Sequence, residues 1–248
     1  MEGIDLIIGV HSILAALKNP NRVIRELYLT KKAKEDFLNG INLTNIKVNM
    51  VDQHRIQEEA KKFYIRMQKE FKRISSEMFL LADSLPIYDV SALYKDVESG
   101  KPLKIFCLDQ VTDVHNGAAI FRTAAFYGVD YLVMAQKGNF GLSPSFFKMA
   151  SGGCEYVKLV QCSNLSKTVT NLQKLNVITI GFLESGEDVL PDLKNKSLCL
   201  VMGAEDRGIS HAVRRVLEFK VSLKPQGKLS TLNVSVASAI VMEKCFPS

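Results

Sequence analysis

Residues 103–135 read LKIFCLDQVTDVHNGAAIFRTAAFYGVDYLVMA, and they decide the fold class. Two apolar runs, at 103–108 and 131–135, flank a stretch at 116–127 with helical spacing. A strand, a helix and a second strand in this order indicate two parallel strands joined by a crossover helix. The chain therefore contains at least one unit of the α/β class.

The same alternation continues toward the C-terminus. Helical segments at 164–175, 210–218 and 232–244 alternate with apolar runs at 156–160, 177–182, 198–202 and 219–223. This pattern predicts a mostly parallel sheet with helices on both faces. Sheets of this kind bind ligands at the loops beyond the carboxyl ends of their strands.

The N-terminal part of the chain predicts a second, smaller α/β domain. GVHSILAAL at 9–17 has helical spacing, RELYLT at 25–30 and KVNMV at 47–51 resemble strands, and 53–79 is helix-prone. The charged face of 53–79 fits a solvated helix at least as well as an RNA contact. The same choice holds for the short run of lysines at 31, 32 and 34.

A stretch containing Pro86, Gly100 and Pro102 separates these two patterns. We expect a first domain over 1–82, a linker over 83–103 and a second domain over 104–248.

Composition and charge exclude some classes and leave others open. With 47% hydrophobic residues among 248, the chain is neither disordered nor collagen-like. Its net charge is +6; residues 1–100 hold 15 basic and 14 acidic residues, whereas 101–248 hold 17 and 12. This mild excess in the C-terminal half is compatible with a polyanionic partner but does not decide it.

The cysteines and the N-terminus indicate the cellular compartment of the protein. The five cysteines are odd in number and lack CxxC spacing, which indicates reduced, buried thiols and neither disulfides nor a zinc site. The start, MEGIDLIIGVHS, has no basic leader, and no later window approaches the roughly 20 apolar residues of a membrane span. We expect a cytoplasmic protein with no membrane partner.

Several catalytic classes lack their motifs. No GxGxxG turn and no GxSxG elbow occurs, and the four histidines lack metal-ligand spacing, so we expect no metal. Gly203 and Gly208 have P-loop spacing, but Ile209 and Ser210 follow where Lys and Ser or Thr are required. A nucleotide-dependent switch therefore has little support.

Three loops place Gly and polar residues beside apolar strands. They are LDQVTDVHNGAAIFRTAAFYG at 108–128, LVMGAEDRGIS at 200–210 and SLKPQGKLSTLNVSVASAI at 222–240. In order and spacing they resemble the three motifs of the SpoU (TrmH-like) branch of the SPOUT RNA 2′-O-ribose methyltransferases. The resemblance covers 104–248, and GVHSILAAL is similar to the small substrate-binding domain that precedes it in ribosomal RNA members. The whole chain most resembles the guanosine 2′-O-methyltransferases of 23S ribosomal RNA.

The resemblance implies a fold, a cofactor and partners. The implied fold is a SPOUT-type α/β domain with a parallel sheet and a C-terminal trefoil knot, preceded by a small L30e/L7Ae-like α/β domain that binds substrate RNA. The implied reaction transfers a methyl group from S-adenosylmethionine to the 2′-hydroxyl of a guanosine in ribosomal RNA. The implied assembly is a homodimer.

The resemblance also assigns residues. Its catalytic positions are Asn116, Arg122, Glu205 and Asn233, and its cofactor-binding positions are Gly203, Leu223, Thr231 and Leu232. A guanidinium is effectively never deprotonated, so our hypothesis is that Arg122 binds a neighbouring phosphate instead of acting as a base, with Glu205 as its ionic partner.

Plainer interpretations stay open for several of these residues. Leu223 and Leu232 equally suit core packing, Glu205 suits a cap on the helix beginning near Ser210, and Asn233 suits an N-cap.

The motifs depart from the family pattern at several positions. Val114 stands where the family usually has Pro, and Ala118 where it has Gly. Leu223-Lys224-Pro225 replaces Ile-Pro-Met, Thr231 replaces Ser, and the late His-Gln-Gly of the N-terminal domain is absent near 75–79.

Two alternative functions remain. One is a transfer RNA 2′-O-methyltransferase of the same fold, and the other is a non-catalytic RNA-binding or ribosome-assembly protein. Retention of all four catalytic positions argues against the second.

Overall fold

The strands of the molecule form two separate sheets. The structure is a computed structural model that describes residues 3–68, 70–138, 140–186 and 189–246. The chain divides into two units. Unit 1 comprises Met1–Leu85 and Leu142–Glu155, and unit 2 comprises Pro86–Gly141 and Tyr156–Ser248.

The strands and helices are numbered in chain order. The strands are β1 (Ile4–Ile8), β2 (Ile24–Leu29), β3 (Lys47–Met50), β4 (Met78–Asp83), β5 (Ile87–Tyr88), β6 (Lys104–Asp109), β7 (Tyr131–Ala135), β8 (Lys158–Cys162), β9 (Ile178–Leu183), β10 (Leu198–Gly203) and β11 (Phe219–Ser222). The helices are α1 (Val10–Lys18), α2 (Lys31–Phe37), α3 (Gln53–Arg66), α4 (Val90–Glu98), α5 (Val114–Phe126), α6 (Pro144–Ala150), α7 (Leu165–Lys174), α8 (His211–Val216) and α9 (Val234–Cys245).

Unit 1 contains a four-stranded sheet in the order β1-β4-β2-β3. β4 is antiparallel to β1 and β2, while β3 is parallel to β2. The carboxyl ends of β1, β2 and β3 therefore share one edge, at which α1, α2 and α3 begin. Tyr28 stacks on Phe79 with ring centroids 4.6 Å apart, and Phe63 packs edge-on against Phe79 within an apolar core.

The predicted helix over 53–79 is wrong in its second half. Asp52 caps α3 by accepting a hydrogen bond from the Arg55 amide, and the helix ends at Arg66. From Met78 the chain enters β4, whose first five residues are buried. The apolar run at the start of β4 outweighs the helical spacing that precedes it.

A segment from the C-terminal part of the sequence belongs to unit 1. Leu142–Glu155 contains α6 and a 3₁₀ turn, and α6 packs against β1. A Cβ on Gly152, which has φ +89°, would lie 2.4 Å from the Ala15 Cβ, so the close approach requires glycine. This segment therefore interrupts the predicted domain over 104–248. Local composition could not indicate the interruption, because it depends on packing against α1, which is distant in the sequence.

Unit 2 contains a seven-stranded sheet in the order β11-β9-β10-β6-β7-β8-β5. All of its strand pairs are parallel, which confirms the α/β class with a parallel sheet. The helices α4, α5, α7 and α8 lie between consecutive strands of this sheet, as the alternating pattern predicts.

The predicted linker over 83–103 is wrong for most of its length. It contains β5, which pairs with β8, and α4, whose Leu93 and Val97 lie in the core of unit 2. Asp89 caps the start of α4 and Ser99 is its C-cap, so this stretch holds an element of the fold.

The predicted burial of the cysteines is confirmed, since all five are buried. A hydrogen bond with Cys199 and burial together raise the pKa of the Cys107 thiol. In the described part of the chain, no helix is both long and apolar enough to cross a membrane.

Candidate active site at the carboxyl edge of the parallel sheet

Two central strands of unit 2 end side by side. β6 ends at Asp109 and β10 at Gly203, and these two residues are paired in register. The loops that follow them, together with the segment preceding α9, are the three loops singled out in the sequence. Parallel strands place all of these loops at one edge of the sheet, as predicted.

The first loop leads into α5 through a cap. Asp113 Oδ1 accepts a hydrogen bond from the Asn116 amide at 2.8 Å, which fixes the first turn without the family's usual proline. Ala118 is fully buried, and the adjacent Gly117 provides the space instead: a Cβ there would lie 2.5 Å from the Phe140 ring. Gly117 therefore lies one position before the glycine of the family pattern.

The second loop folds tightly back on itself. A Cβ on Gly203 would lie 2.0 Å from the Gly208 carbonyl carbon, and the Gly208 amide donates to Ala204 O at 2.8 Å. Asp109, only 6% exposed, accepts a hydrogen bond from the Ser210 amide at 2.7 Å. These contacts hold the exposed Glu205 between two anchored ends.

The third segment contributes Asn233, which is the N-cap of α9. Its Oδ1 accepts hydrogen bonds from the Ser235 amide at 2.9 Å and the Ser235 hydroxyl at 2.6 Å. Its Nδ2 donates to Asn116 Oδ1 at 3.0 Å and to Glu205 Oε2 at 3.2 Å. One amide thus caps a helix and joins residues from all three loops.

The three joined side chains keep unused hydrogen-bonding capacity. Within the described residues, Asn116 Nδ2 and Glu205 Oε1 make no hydrogen bond. The cluster therefore presents one donor and one acceptor, which matches a hydroxyl group, itself both a donor and an acceptor.

The hypothesis that Arg122 pairs with Glu205 is wrong. Arg122 is exposed on α5 and forms no hydrogen bond or ion pair with any other described residue. Six positions separate it from Asn116, so an α-helix turns the two side chains to different faces. Glu205 is held by the neutral Asn233 instead.

Three of the four predicted cofactor-binding residues lie in an irregular loop at 223–233, and the fourth, Gly203, ends β10. Leu223 is half-buried, Thr231 is exposed, and Leu232 is 50% exposed, so neither leucine belongs to the buried core. Gly203 is buried, and its missing side chain makes room for the Gly208 backbone. The alternative that Glu205 caps α8 also fails, because Ser210 holds the N-cap position.

Sequence reasoning missed Asp109 and Asp113. Both carried a local signal: one ends an apolar strand run, and the other precedes Asn116 by three residues at a helix start. Among the described residues, no group of three His, Cys, Asp or Glu side chains is arranged to hold a metal ion.

Comparison with known proteins identifies the family. The model of the SpoU rRNA Methylase family matches residues 104–243, more than half of the chain. The chain belongs to the SpoU rRNA methylase family. A second model, described as RNA 2′-O ribose methyltransferase substrate binding, matches residues 6–63.

Relatives of this SpoU chain match over nearly its full length. The 23S rRNA (guanosine-2′-O-)-methyltransferase RlmB of Ralstonia nicotianae is 29% identical, with 98% of this chain and 95% of the relative covered. The protein of the same name from Haemophilus ducreyi is 30% identical, with 96% and 95% covered.

Solved structures of SpoU and rRNA methyltransferases share the fold. The SpoU methyltransferase AviRb of Streptomyces viridochromogenes, in complex with AdoMet, has a TM-score of 0.76 at 17% identity, covering 98% of this chain and 90% of that one. An rRNA methyltransferase from Sinorhizobium meliloti has a TM-score of 0.71 at 16% identity, covering 98% and 86%.

Proposed function

We propose that this chain is an S-adenosylmethionine-dependent methyltransferase that modifies the ribose 2′-hydroxyl of a guanosine in 23S ribosomal RNA. The convergence of Asn116, Glu205 and Asn233 from three separate loops carries the proposal. Membership of the SpoU family and the names of the full-length relatives support the reaction and the substrate.

The free donor and acceptor of the cluster would orient the reacting hydroxyl. Glu205 Oε1 would accept a hydrogen bond from the 2′-hydroxyl and take its proton as the oxygen bonds to the methyl group, and Asn116 Nδ2 would donate to that oxygen. Asn233 holds both partners in place, so their geometry is set before RNA binds. Such positioning accounts for about 7–11 kcal/mol of barrier reduction in well-oriented reactions.

The loop at 223–233 fits the cofactor. It leaves Leu223 half-buried and Leu232 50% exposed, and Leu232 directly precedes Asn233 of the polar cluster. Uncovered apolar side chains next to a polar site suit the adenine of a nucleoside, with Gly203, Leu223, Thr231 and Leu232 as the proposed contacts. When bound, S-adenosylmethionine supplies the methyl group.

Arg122 is proposed to bind an RNA phosphate. Its exposed guanidinium has no partner in the described chain, so it is available to an anion without breaking an existing ion pair. Because Arg122 lies on a different face of α5 from Asn116, it would hold the RNA backbone near the reacting nucleotide and not the 2′-hydroxyl itself.

The finer features implied by the family remain part of the proposal. α9 packs against α5 and β10, so the chain returns from the sheet edge at β11 to its middle, as a trefoil knot requires. Phe126 of α5 is 82% exposed and Val236 of α9 is 50% exposed, which supports a homodimer. Unit 1 is proposed to be the L30e/L7Ae-like domain that binds RNA. A cytoplasmic location is proposed too, and a ribosomal RNA substrate supports it.

The decisive experiment measures transfer of labelled methyl from S-adenosylmethionine to separate pools of ribosomal and transfer RNA, followed by nuclease mapping. Label in one guanosine of 23S RNA is expected. Label in transfer RNA alone would identify transfer RNA as the substrate in place of ribosomal RNA. Cofactor binding without any methyl transfer would indicate a non-catalytic RNA-binding protein.

The role of Arg122 is tested by the variants Arg122→Gln and Arg122→Lys. Loss of one phosphate contact in Arg122→Gln should reduce the slope of log affinity against log salt by about one. Full activity of Arg122→Lys with an unchanged pH profile, together with an unchanged salt slope for Arg122→Gln, would remove Arg122 from the mechanism.

A further inference from the structure

Unit 1 carries a cleft that lies outside the active site. Its lining residues come from the first turns of α3, namely Gln53, His54 and Gln57, and from the segment before β4, namely Phe71 and Arg73. The cleft has a volume of about 440 Å³. This size falls within the roughly 300–1,000 Å³ of small-ligand sites.

The topology places this cleft at the edge where α1, α2 and α3 begin. β4 is antiparallel to its neighbours, so the segment leading into it reaches the same edge. Lys31 and Lys32 begin α2 at the same edge, but both are paired: their ammonium groups lie 3.9 Å from Glu35 and 3.8 Å from Glu77. A cleft whose lining includes a cation with no ion pair among the described residues, here Arg73, suits a phosphate and the base attached to it.

An aromatic ring forms one wall of the cleft. Phe71 is half-buried and packs edge-on against Tyr64, with centroids 5.4 Å apart. The Tyr64 hydroxyl is buried and has no hydrogen-bond partner among the described residues. A buried tyrosine hydroxyl without a hydrogen-bond partner is unusual where two rings pack only as part of a protein core.

Polar groups surround this ring. Gln57 is held by two hydrogen bonds with the Ile74 backbone, which fixes the segment carrying Phe71 and Arg73 onto α3. Arg73 is exposed and forms no ion pair within the described chain, whereas His54 lies 3.6 Å from Glu58. The unpaired guanidinium is thus the cation available at the cleft.

We propose that this cleft binds one unstacked nucleotide of the substrate RNA, with the base against Phe71 and a neighbouring phosphate on Arg73. The inference rests on the proposed function, because it identifies how that RNA is recognised. Sequence-specific proteins commonly bind splayed bases of single-stranded loops by such stacking. The cleft would then recognise a nucleotide distinct from the one that is methylated.

Two variants of the full-length chain test the cleft. Phe71→Leu keeps an apolar side chain but removes the aromatic face, and Arg73→Gln removes the charge. Phe37→Leu, an exposed aromatic on α2, and Lys72→Gln, the neighbouring cation that does not line the cleft, are matched controls. Thermal unfolding and calorimetry with S-adenosylmethionine verify that each variant folds.

Filter binding measures the affinity of each variant for a 23S RNA transcript without cofactor. Phe71→Leu should weaken binding about tenfold, since base–aromatic stacking is worth about 1–3 kcal/mol. Arg73→Gln should reduce the salt slope by about one, and both controls should match the wild type. Ultraviolet crosslinking should join the RNA to the peptide containing Phe71.

The outcomes separate this proposal from the enzymatic one. Phe71-dependent binding by a chain that transfers no methyl group supports the cleft and overturns the activity. Methyl transfer with unchanged affinity in both cleft variants overturns the cleft as an RNA site, as would be found if it received a peptide of a ribosomal protein instead.

Discussion

The second and third loops of the active site are built in opposite ways. The loop from Gly203 to Ser210 is closed by backbone hydrogen bonds, a glycine contact and the buried Asp109 carboxylate. The segment at 223–233 has no helix or strand and leaves two leucines largely exposed. We propose that the two regions have different roles: the closed loop would fix the reacting groups in advance, and the open segment would acquire its packing from the cofactor.

Asn233 lies where these two regions meet, and its replacement should have the largest effect. Asn233→Asp keeps an acceptor for the Ser235 amide but loses both donated bonds and places a carboxylate beside Glu205. Methyl transfer should fall about 10²–10³-fold, as when one preorganised donor is removed from an active site. The control is Asn164→Asp, an N-cap of α7 in the same unit. Near-normal turnover of Asn233→Asp would mean that the joined cluster is not the reacting site.

Glycine substitutions compare the two loops directly. Gly203→Ala forces a Cβ into the Gly208 backbone, whereas Gly227→Ala adds a Cβ where nothing lies within 4 Å. Overpacking of this kind costs about 1–3 kcal/mol, and each kcal/mol lowers Tm by about 2–4 °C in a chain of this size. Calorimetry without cofactor should show the loss for Gly203→Ala alone. Equal Tm values would contradict the description of the second loop as closed.

The Asp109 carboxylate should affect activity through the hydrogen bond that it accepts from the Ser210 amide. Asp109→Ala leaves that amide unpaired at a cost of about 1–3 kcal/mol, while Asp109→Asn retains an acceptor of the same shape. We expect a lower kcat for Asp109→Ala and substantial recovery in Asp109→Asn, measured by methyl transfer at saturating RNA. No difference between the two would show that the loop holds its shape without this bond.

The smallest effect is expected in the open segment. Leu232→Ala removes part of a half-exposed apolar surface, so the affinity for S-adenosylmethionine should fall about fivefold, on the order of 1 kcal/mol. Leu229→Ala, which is more exposed in the same segment, is the matched control. Calorimetric titration distinguishes them, and identical affinities would remove Leu232 from the cofactor site.

The local sequence predicted much of this arrangement but only part of its contacts. Alternating apolar runs predicted the parallel sheet, and motif order predicted that Asn116, Glu205 and Asn233 share a site. The partner of Glu205 could not be predicted, because charge alone favours Arg122, and only the helix geometry turns that side chain away. The assignment of Leu142–Glu155 to unit 1 also depends on packing between distant segments, such as Gly152 against Ala15.

The hydrogen bond between Asn233 and Asn116 joins positions 117 residues apart in the chain. Contacts of such long sequence separation form late, since the entropy of closing a long loop must be overcome first. During refolding, helical circular dichroism should therefore recover before the ability to methylate RNA. The recovery of methyl transfer therefore reports the last step of folding. A chain in which α9 has not yet docked would contain the parallel sheet of unit 2 but would not methylate RNA.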